Sequence, residues 1–214
     1  MAAADAERQV IYLTEDETDG LLYRFRPRTW GDLSEGTLDA LAVSPEDGST
    51  RWVRVGGTGE PGQPPTRYDA PGATPFPGGE GVVLDGDILY LATKFDGRIS
   101  RLDLAQSRLT LYWEGPPIGG PDNLAVQDET GNLFVCEEED NMEVVLITPN
   151  GHADPFLRFV GHDNSEVTGA AFDPSGERFI INSQRAPAPK THDETVPGEA
   201  GGPLGRTYLI SGPF

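Results

Sequence analysis

The 214-residue chain is short of cysteine, histidine and positive charge, and each shortage removes a class of explanation. A single cysteine, Cys136, excludes an internal disulfide, so bridges say nothing about compartment. On the apolar stretch NLFVCE, Cys136 reads as a small buried hydrophobe. His152, His162 and His192 occur without HxH or HExxH spacing, which leaves no standard zinc pattern and makes surface positions the expectation. No apolar run reaches about 18 residues, and the start, MAAADAERQV, has no basic segment followed by an apolar one; neither a membrane span nor a signal peptide is expected. Sixteen basic residues face 35 acidic ones, a net charge of −19 that repels nucleic acid phosphates and anionic membranes. Ser34, Ser100 and Ser183 lack a GxSxG setting, so no hydrolase nucleophile is indicated.

Glycine and proline, at 27 and 19 residues, are plentiful, and with 36% hydrophobic residues they predict an all-β protein of many tight turns. The length suits one domain, 1–214, or part of one. Three segments superimpose: GVVLDGDILYLATKFDGRISRLDL from Gly81, NLAVQDETGNLFVCEEEDNMEVVLI from Asn123 and GAAFDPSGERFIINSQ from Gly169. Each has an apolar strand, an Asp-containing turn closing on glycine and a second apolar strand, the signature of a hairpin. The turn glycines Gly86, Gly131 and Gly176 are spaced 45 residues apart both times, which predicts propeller blades. A third strand follows at 97–104 and 141–151, while strands at 9–14 and 20–27 make the chain begin mid-blade. Four or so partly incomplete blades are expected, with long Gly/Pro-rich loops at 55–79 and 186–204; for 28–54 a helical turn and a strand pair stay open.

Acids and amides recur at fixed places in the repeat. Glu15 and Asp16, Glu137 and Glu138, and Asn182 and Gln184 follow a strand, whereas Glu80, Asp122, Asn123 and Glu166 precede an inner one. Residues just before the innermost strands lie near one mouth of a propeller channel, and convergent hard oxygen ligands there suit calcium, magnesium or iron. Asp85, Asp128 and Asp173 sit with the glycines and are assigned to turn hydrogen bonds, Glu139 and Asp140 to solvent. DETDG at 16–20 resembles the start of a calcium loop but lacks the distal bidentate glutamate.

At these residues the sequence resembles the PhoX-like family of bacterial alkaline phosphatases. The resembling pieces are VIYLTEDETDGLLYRFRP, GGEG, GPDNLAVQDETGNLFVCEEEDNMEVVLITPNG, SEVTGAAFDPSGERFIINSQR and TYLISGPF, in family order along nearly the whole chain. The resemblance implies a six-bladed-type propeller that hydrolyses phosphoesters of small molecules, with calcium and iron held by carboxylates and with export to the periplasm or beyond. Carried over by position, Glu80, Asp122, Asn123, Glu137 and Glu166, with Glu15 and Asp16, match the family's acidic or amide motif positions and are the expected metal ligands. The family's N-terminal region, with its export signal, His-Glu motif and TCEE-like motif, has no counterpart here, so the expectation is the C-terminal portion of such a protein. GPDNLAVQDETGNLFV equally suits a calcium-dependent lactonase of the regucalcin/gluconolactonase kind, and a non-catalytic propeller that binds a partner or a structural ion is the third reading.

Overall fold

The computed structural model describes residues 1–56, 62–138, 141–162, 165–185 and 205–212; the expected loop at 186–204, His192, Glu139 and Asp140 lie outside them. Among the described residues, sixteen strands form four antiparallel sheets, each built from neighbours in chain order. They group into two compact units, Met1–Glu114 and Gly115–Phe214. The first unit holds β1 (Ala2–Asp5), β2 (Val10–Thr14), β3 (Leu22–Thr29), β4 (Asp32–Val43) and β5 (Thr50–Arg54) in one sheet. Its other sheet is β6 (Gly79–Asp85), β7 (Ile88–Thr93), β8 (Arg98–Asp103) and β9 (Arg108–Glu114). The second unit holds β10 (Pro121–Gln127), β11 (Asn132–Glu137), β12 (Glu143–Ile147) and β13 (Ala153–Arg158), and beside them β14 (Val167–Phe172), β15 (Arg178–Ser183) and β16 (Arg206–Ser211). Among the described residues the one helical element is a 3-10 turn at Thr66–Asp69, and no helix is long and apolar enough to cross a membrane.

The hairpins fall where the turn glycines predict. Gly86, Gly131 and Gly176 have φ of 56°, 69° and 71°, left-handed values that glycine adopts without a Cβ penalty. Asp173 serves its turn as expected, its Oδ1 accepting from the Arg178 N–H at 3.1 Å and from the Ser175 hydroxyl at 2.9 Å. In the second turn Gln127 does this work, its carbonyl accepting from Gly131 N–H at 2.8 Å and its side chain from the Thr130 hydroxyl at 2.7 Å.

One expectation changes and one open alternative is decided. Ala2–Asp5 pairs along β2, so the first sheet opens with a strand that the mid-blade reading lacks and has five strands. Three alanines carry no strand signal, so this strand is set by the pairing partner that β2 offers. Residues 28–54 resolve into the strand pair β4 and β5. Outer strands β9 and β13, half exposed and without clean alternation, extend the second and third sheets to four strands.

Inner strands are apolar on both faces because both are covered. In β11, Leu133, Phe134, Val135 and Cys136 are all at most 1% exposed. Phe134 anchors the second unit's core, its ring 5.1, 5.0 and 5.2 Å from those of Phe156, Phe172 and Phe179. Burying one such ring is worth about 1.5–3 kcal/mol. Cys136 lies in this core as expected, and burial, reinforced by Asp122, raises its thiol well above the ordinary range, so it is no nucleophile. In the first unit Tyr12, Leu22, Leu41, Leu89, Leu91 and Leu102 form the corresponding core between the two sheets.

Candidate functional site

Three inner strands begin with the same irregularity. In register, Gly79 faces Thr93 but Val82 faces Leu91; Pro121 faces Glu137 but Leu124 faces Val135; Thr168 faces Asn182 but Ala171 faces Ile180. Each first strand therefore carries one extra residue, a bulge that re-aims side chains at the strand entrance. Just before it, the N–H groups of Lys94, Glu138 and Gln184 donate to the carbonyls of Gly78, Gly120 and Glu166 at 2.9, 3.1 and 2.9 Å. Counting from these bonds, Glu80, Asp122 and Thr168 occupy one place. Glu166 does not share it: the register sets Glu166 two residues earlier, level with Gly78 and Gly120. On the second strands Thr93, Glu137 and Ser183 share one place, opposite Gly79, Pro121 and Val167, the residues just before Glu80, Asp122 and Thr168.

In the first unit the candidate acids are matched by basic side chains. Lys94 Nζ lies 2.7 Å from Glu80 Oε1 and 2.9 Å from Asp16 Oδ2, joining those two carboxylates. The Thr14 hydroxyl donates to the Glu80 carbonyl at 2.5 Å, which ties the end of β2 to the start of β6. Burial raises the Glu80 carboxyl above its ordinary range; Lys94 opposes the rise and Asp16 adds to it. Glu15 turns elsewhere, accepting from Arg67 Nη1 at 2.7 Å and from the Tyr23 hydroxyl at 2.8 Å. Burial and then Glu15 hold the Tyr23 phenol well above its usual value. Arg67, delivered by the 3-10 turn in the long loop, also lies 2.8 Å from Asp19 and 3.6 Å from Glu17. The segment that resembles a calcium loop thus closes around a guanidinium.

In the second unit backbone and amide groups do more of the holding. Glu137, 1% exposed, accepts from the Gly119 N–H at 2.7 Å, and Asp122, 5% exposed, accepts from the Asn123 side-chain amide. The Asn123 oxygen accepts from the Thr168 hydroxyl at 3.0 Å and the Gly169 N–H at 2.6 Å, linking β10 to β14. Both of its lone pairs are engaged, so Asn123 is a strand fastener in this fold. Asn182 likewise donates to the carbonyls of Thr168 and Gly169 at 3.2 and 3.3 Å. Glu166 pairs with Arg185. Beside it runs a buried hydroxyl chain absent from the sequence reading: His162 Nδ1 to Ser183 Oγ at 2.7 Å, Ser183 Oγ to Ser165 Oγ at 2.7 Å, and Arg185 N–H to Ser165 Oγ at 2.9 Å. His162 is a buried residue, not the expected surface one, because its ring packs against Phe159 and Tyr208 while Ser183 satisfies its nitrogen. His152 is exposed, 2.7 Å from Asp154.

Calcium takes about six to eight oxygens, and a catalytic iron needs a comparable cluster. Among the described residues no three His, Cys, Asp or Glu side chains come together as a metal site. Arg67 and Lys94 neutralise Glu15, Asp16 and Glu80, Arg185 neutralises Glu166, and Asn123 is committed to β14. Asp122 and Glu137 remain the two deeply buried carboxylates of the set, too few for such a centre. Among the described residues, neither unit taken alone brings such a set together.

No family model matches the sequence, and no curated protein does. Solved structures do match in fold. Pseudomonas fluorescens PhoX, in its complex with vanadate, a transition state analogue, superposes with a TM-score of 0.70 at 19% identity, over 98% of this chain and 52% of that one. The nidogen/laminin complex matches with a TM-score of 0.54 at 15% identity, over 84% and 54%, and a luciferin-regenerating enzyme with 0.50 at 14%, over 97% and 63%. The chain thus spans about half to under two thirds of the length of these three structures. At these identities the likeness establishes the fold alone, an all-β chain of the β-propeller type.

Proposed function

We propose that the chain forms part of a phosphoester hydrolase acting on small phosphorylated molecules. The observation that carries this reading is the repeated bulge, which sets Glu80 and Asp122 at equivalent places in two sheets, Glu80 paired with Lys94 and Asp122 buried on the strand next to that of the buried Glu137. Support comes from the ordered motifs that resemble PhoX-like sequences and from the fold likeness to PhoX, whose complex holds vanadate. In this reading the cation at such a strand entrance, Lys94 in the first unit or Arg185 in the second, meets phosphoryl oxygens. Calcium and iron belong to the proposal as ions to be supplied, since among the described residues neither unit gathers a centre for them alone. The test is turnover of a simple phosphomonoester by the full chain loaded with calcium and iron. Turnover is expected, with a drop of about 100-fold or more for Asp122→Asn and for Glu137→Gln at unchanged circular dichroism. A folded, metal-loaded chain that turns over nothing refutes the hydrolase reading, and turnover of lactones alone moves it to a calcium-dependent lactonase.

One observation favours a non-catalytic module instead: Arg67 and Lys94 already balance the first unit's acids without any ion. That reading expects thermal stability unmoved by chelation together with no turnover.

A further inference from the structure

The first sheet carries a group of arginines separate from the acids above. Asp39 on β4 pairs in register with Arg24 on β3 and Arg54 on β5, which sets the three side by side on one face. Asp39 is 6% exposed. Its Oδ2 accepts from Arg24 Nη2 at 2.9 Å and lies 3.6 Å from Arg26 Nε, and its Oδ1 lies 3.4 Å from Arg54 Nε. One buried carboxylate therefore meets three guanidiniums, leaving two positive charges uncompensated there in a chain of net charge −19.

The three arginines are not alike. Arg24 is fixed, its side chain 14% exposed and its guanidinium 4.3 Å over the Trp52 ring, and its buried Nε has no hydrogen-bond partner. Burial pulls its pKa below the ordinary value, Asp39 opposes this and Arg26 adds to it, as expected where positive charge is crowded. Arg26 and Arg54 have side chains 49% and 57% exposed, with donors to spare: each guanidinium carries five N–H bonds, and the two oxygens of Asp39 absorb few of the total. From Arg26 a groove of about 590 Å³ continues along the projecting β3–β4 ribbon, lined by Arg28, Ser34, Glu35 and Thr37. Arg28 and Glu35 face each other across it at 3.0 Å.

We propose that this face binds a small oxyanion, a phosphate group between Arg26 and Arg54, with the hydroxyl-bearing remainder of a phosphorylated molecule lying along the groove. Two forks converging on one ligand give bidentate, charge-assisted bonds to a tetrahedral anion. Ser34, Thr37 and the Glu35 carboxylate are placed to meet hydroxyl groups. A compact anion feels the local positive pair within a Debye length of about 8 Å at physiological salt, whereas a long polyanion also meets the repulsion of the whole acidic chain. The site is independent of the hydrolase reading and of its residues.

Calorimetric titration of the full chain at low salt, with inorganic phosphate and separately with glycerol phosphate, tests the proposal. Saturable binding is expected, weakened about tenfold or more in the Arg26→Gln, Arg54→Gln double variant and unchanged in Arg108→Gln, an exposed arginine on β9 away from this face. Asp39→Asn, if it folds, removes the resident anion and tightens binding several-fold; a merely structural ion cluster would show no such gain. Tighter binding of glycerol phosphate than of phosphate supports the groove, and equal binding refutes that part. Absence of binding, or the same affinity in the double arginine variant, overturns the proposal.

Discussion

Acids at one and the same place in two successive sheets are held in different ways. Glu80 meets the Lys94 ammonium, shared with Asp16, whereas Asp122 and Glu137 are buried with an amide and a backbone N–H among their partners. The bulge is common to both, so backbone geometry sets where the carboxylate stands, and the neighbours set how its charge is balanced. The first unit does this with side chains far along the sequence. The second does it with groups from strands already fixed by a dense aromatic core.

The strongest way to break this contrast is to loosen that core. Phe134 lies on β11 three residues before Glu137 and touches three other phenylalanine rings. Phe134→Ala is expected to cost about 3–5 kcal/mol, from lost transfer energy plus an unfilled cavity. Urea denaturation of the full chain measures it, and a loss under about 1 kcal/mol would mean that the surrounding rings collapse into the space.

A smaller effect tests the fastening of β10 to β14. Asn123→Ala leaves the Gly169 N–H and the Thr168 hydroxyl without their acceptor, at about 1–3 kcal/mol. Gly169, at φ 63°, has no room for a Cβ beside the Asn182 amide, so Gly169→Ala should cost a similar amount. The two sites share one hydrogen bond, and a double-mutant cycle should show losses that do not add. Full additivity would mean that Asn123 does not fasten that strand.

These residues also mark how far the sequence could be read. The hairpins were legible because glycine at positive φ and an apolar run on either side are local signals, and Gly86, Gly131 and Gly176 each supplied one. Asp122 and Glu137 were legible as acids at a strand entrance, since the repeat puts them there. The cations that balance the first unit's acids were not. Arg67 reaches Glu15 across 52 residues and Lys94 reaches Asp16 across 78, separations at which no periodicity survives. Glu166 was grouped with Glu80 because each precedes a strand; a two-residue offset emerges only once hydrogen bonds fix the register. β1 was illegible for the opposite reason, since its alanines pair as a strand without any preference of their own.

The smallest effect sharpens the comparison most directly, through pH. Lys94→Met keeps most of the aliphatic stem and removes the cation between Asp16 and Glu80. Glu80 already has a folded-state pKa raised by burial, with Lys94 opposing, so the variant raises it further. An acid whose folded pKa exceeds its unfolded one binds its proton more tightly when folded. Its contribution to stability is complete below the unfolded pKa, about 4.3 for glutamate, and is lost as pH rises through the folded value. The stability gap between wild type and variant should therefore be small near pH 4 and widen through the mildly acidic range. It should level off by about pH 8, at on the order of 1 kcal/mol for a pair near the surface. Urea midpoints at the two pH values measure it. An equal gap at both would assign the loss to packing of the Lys94 stem, and the charge balance that distinguishes the first unit would then lie with Arg67 and Glu15 alone.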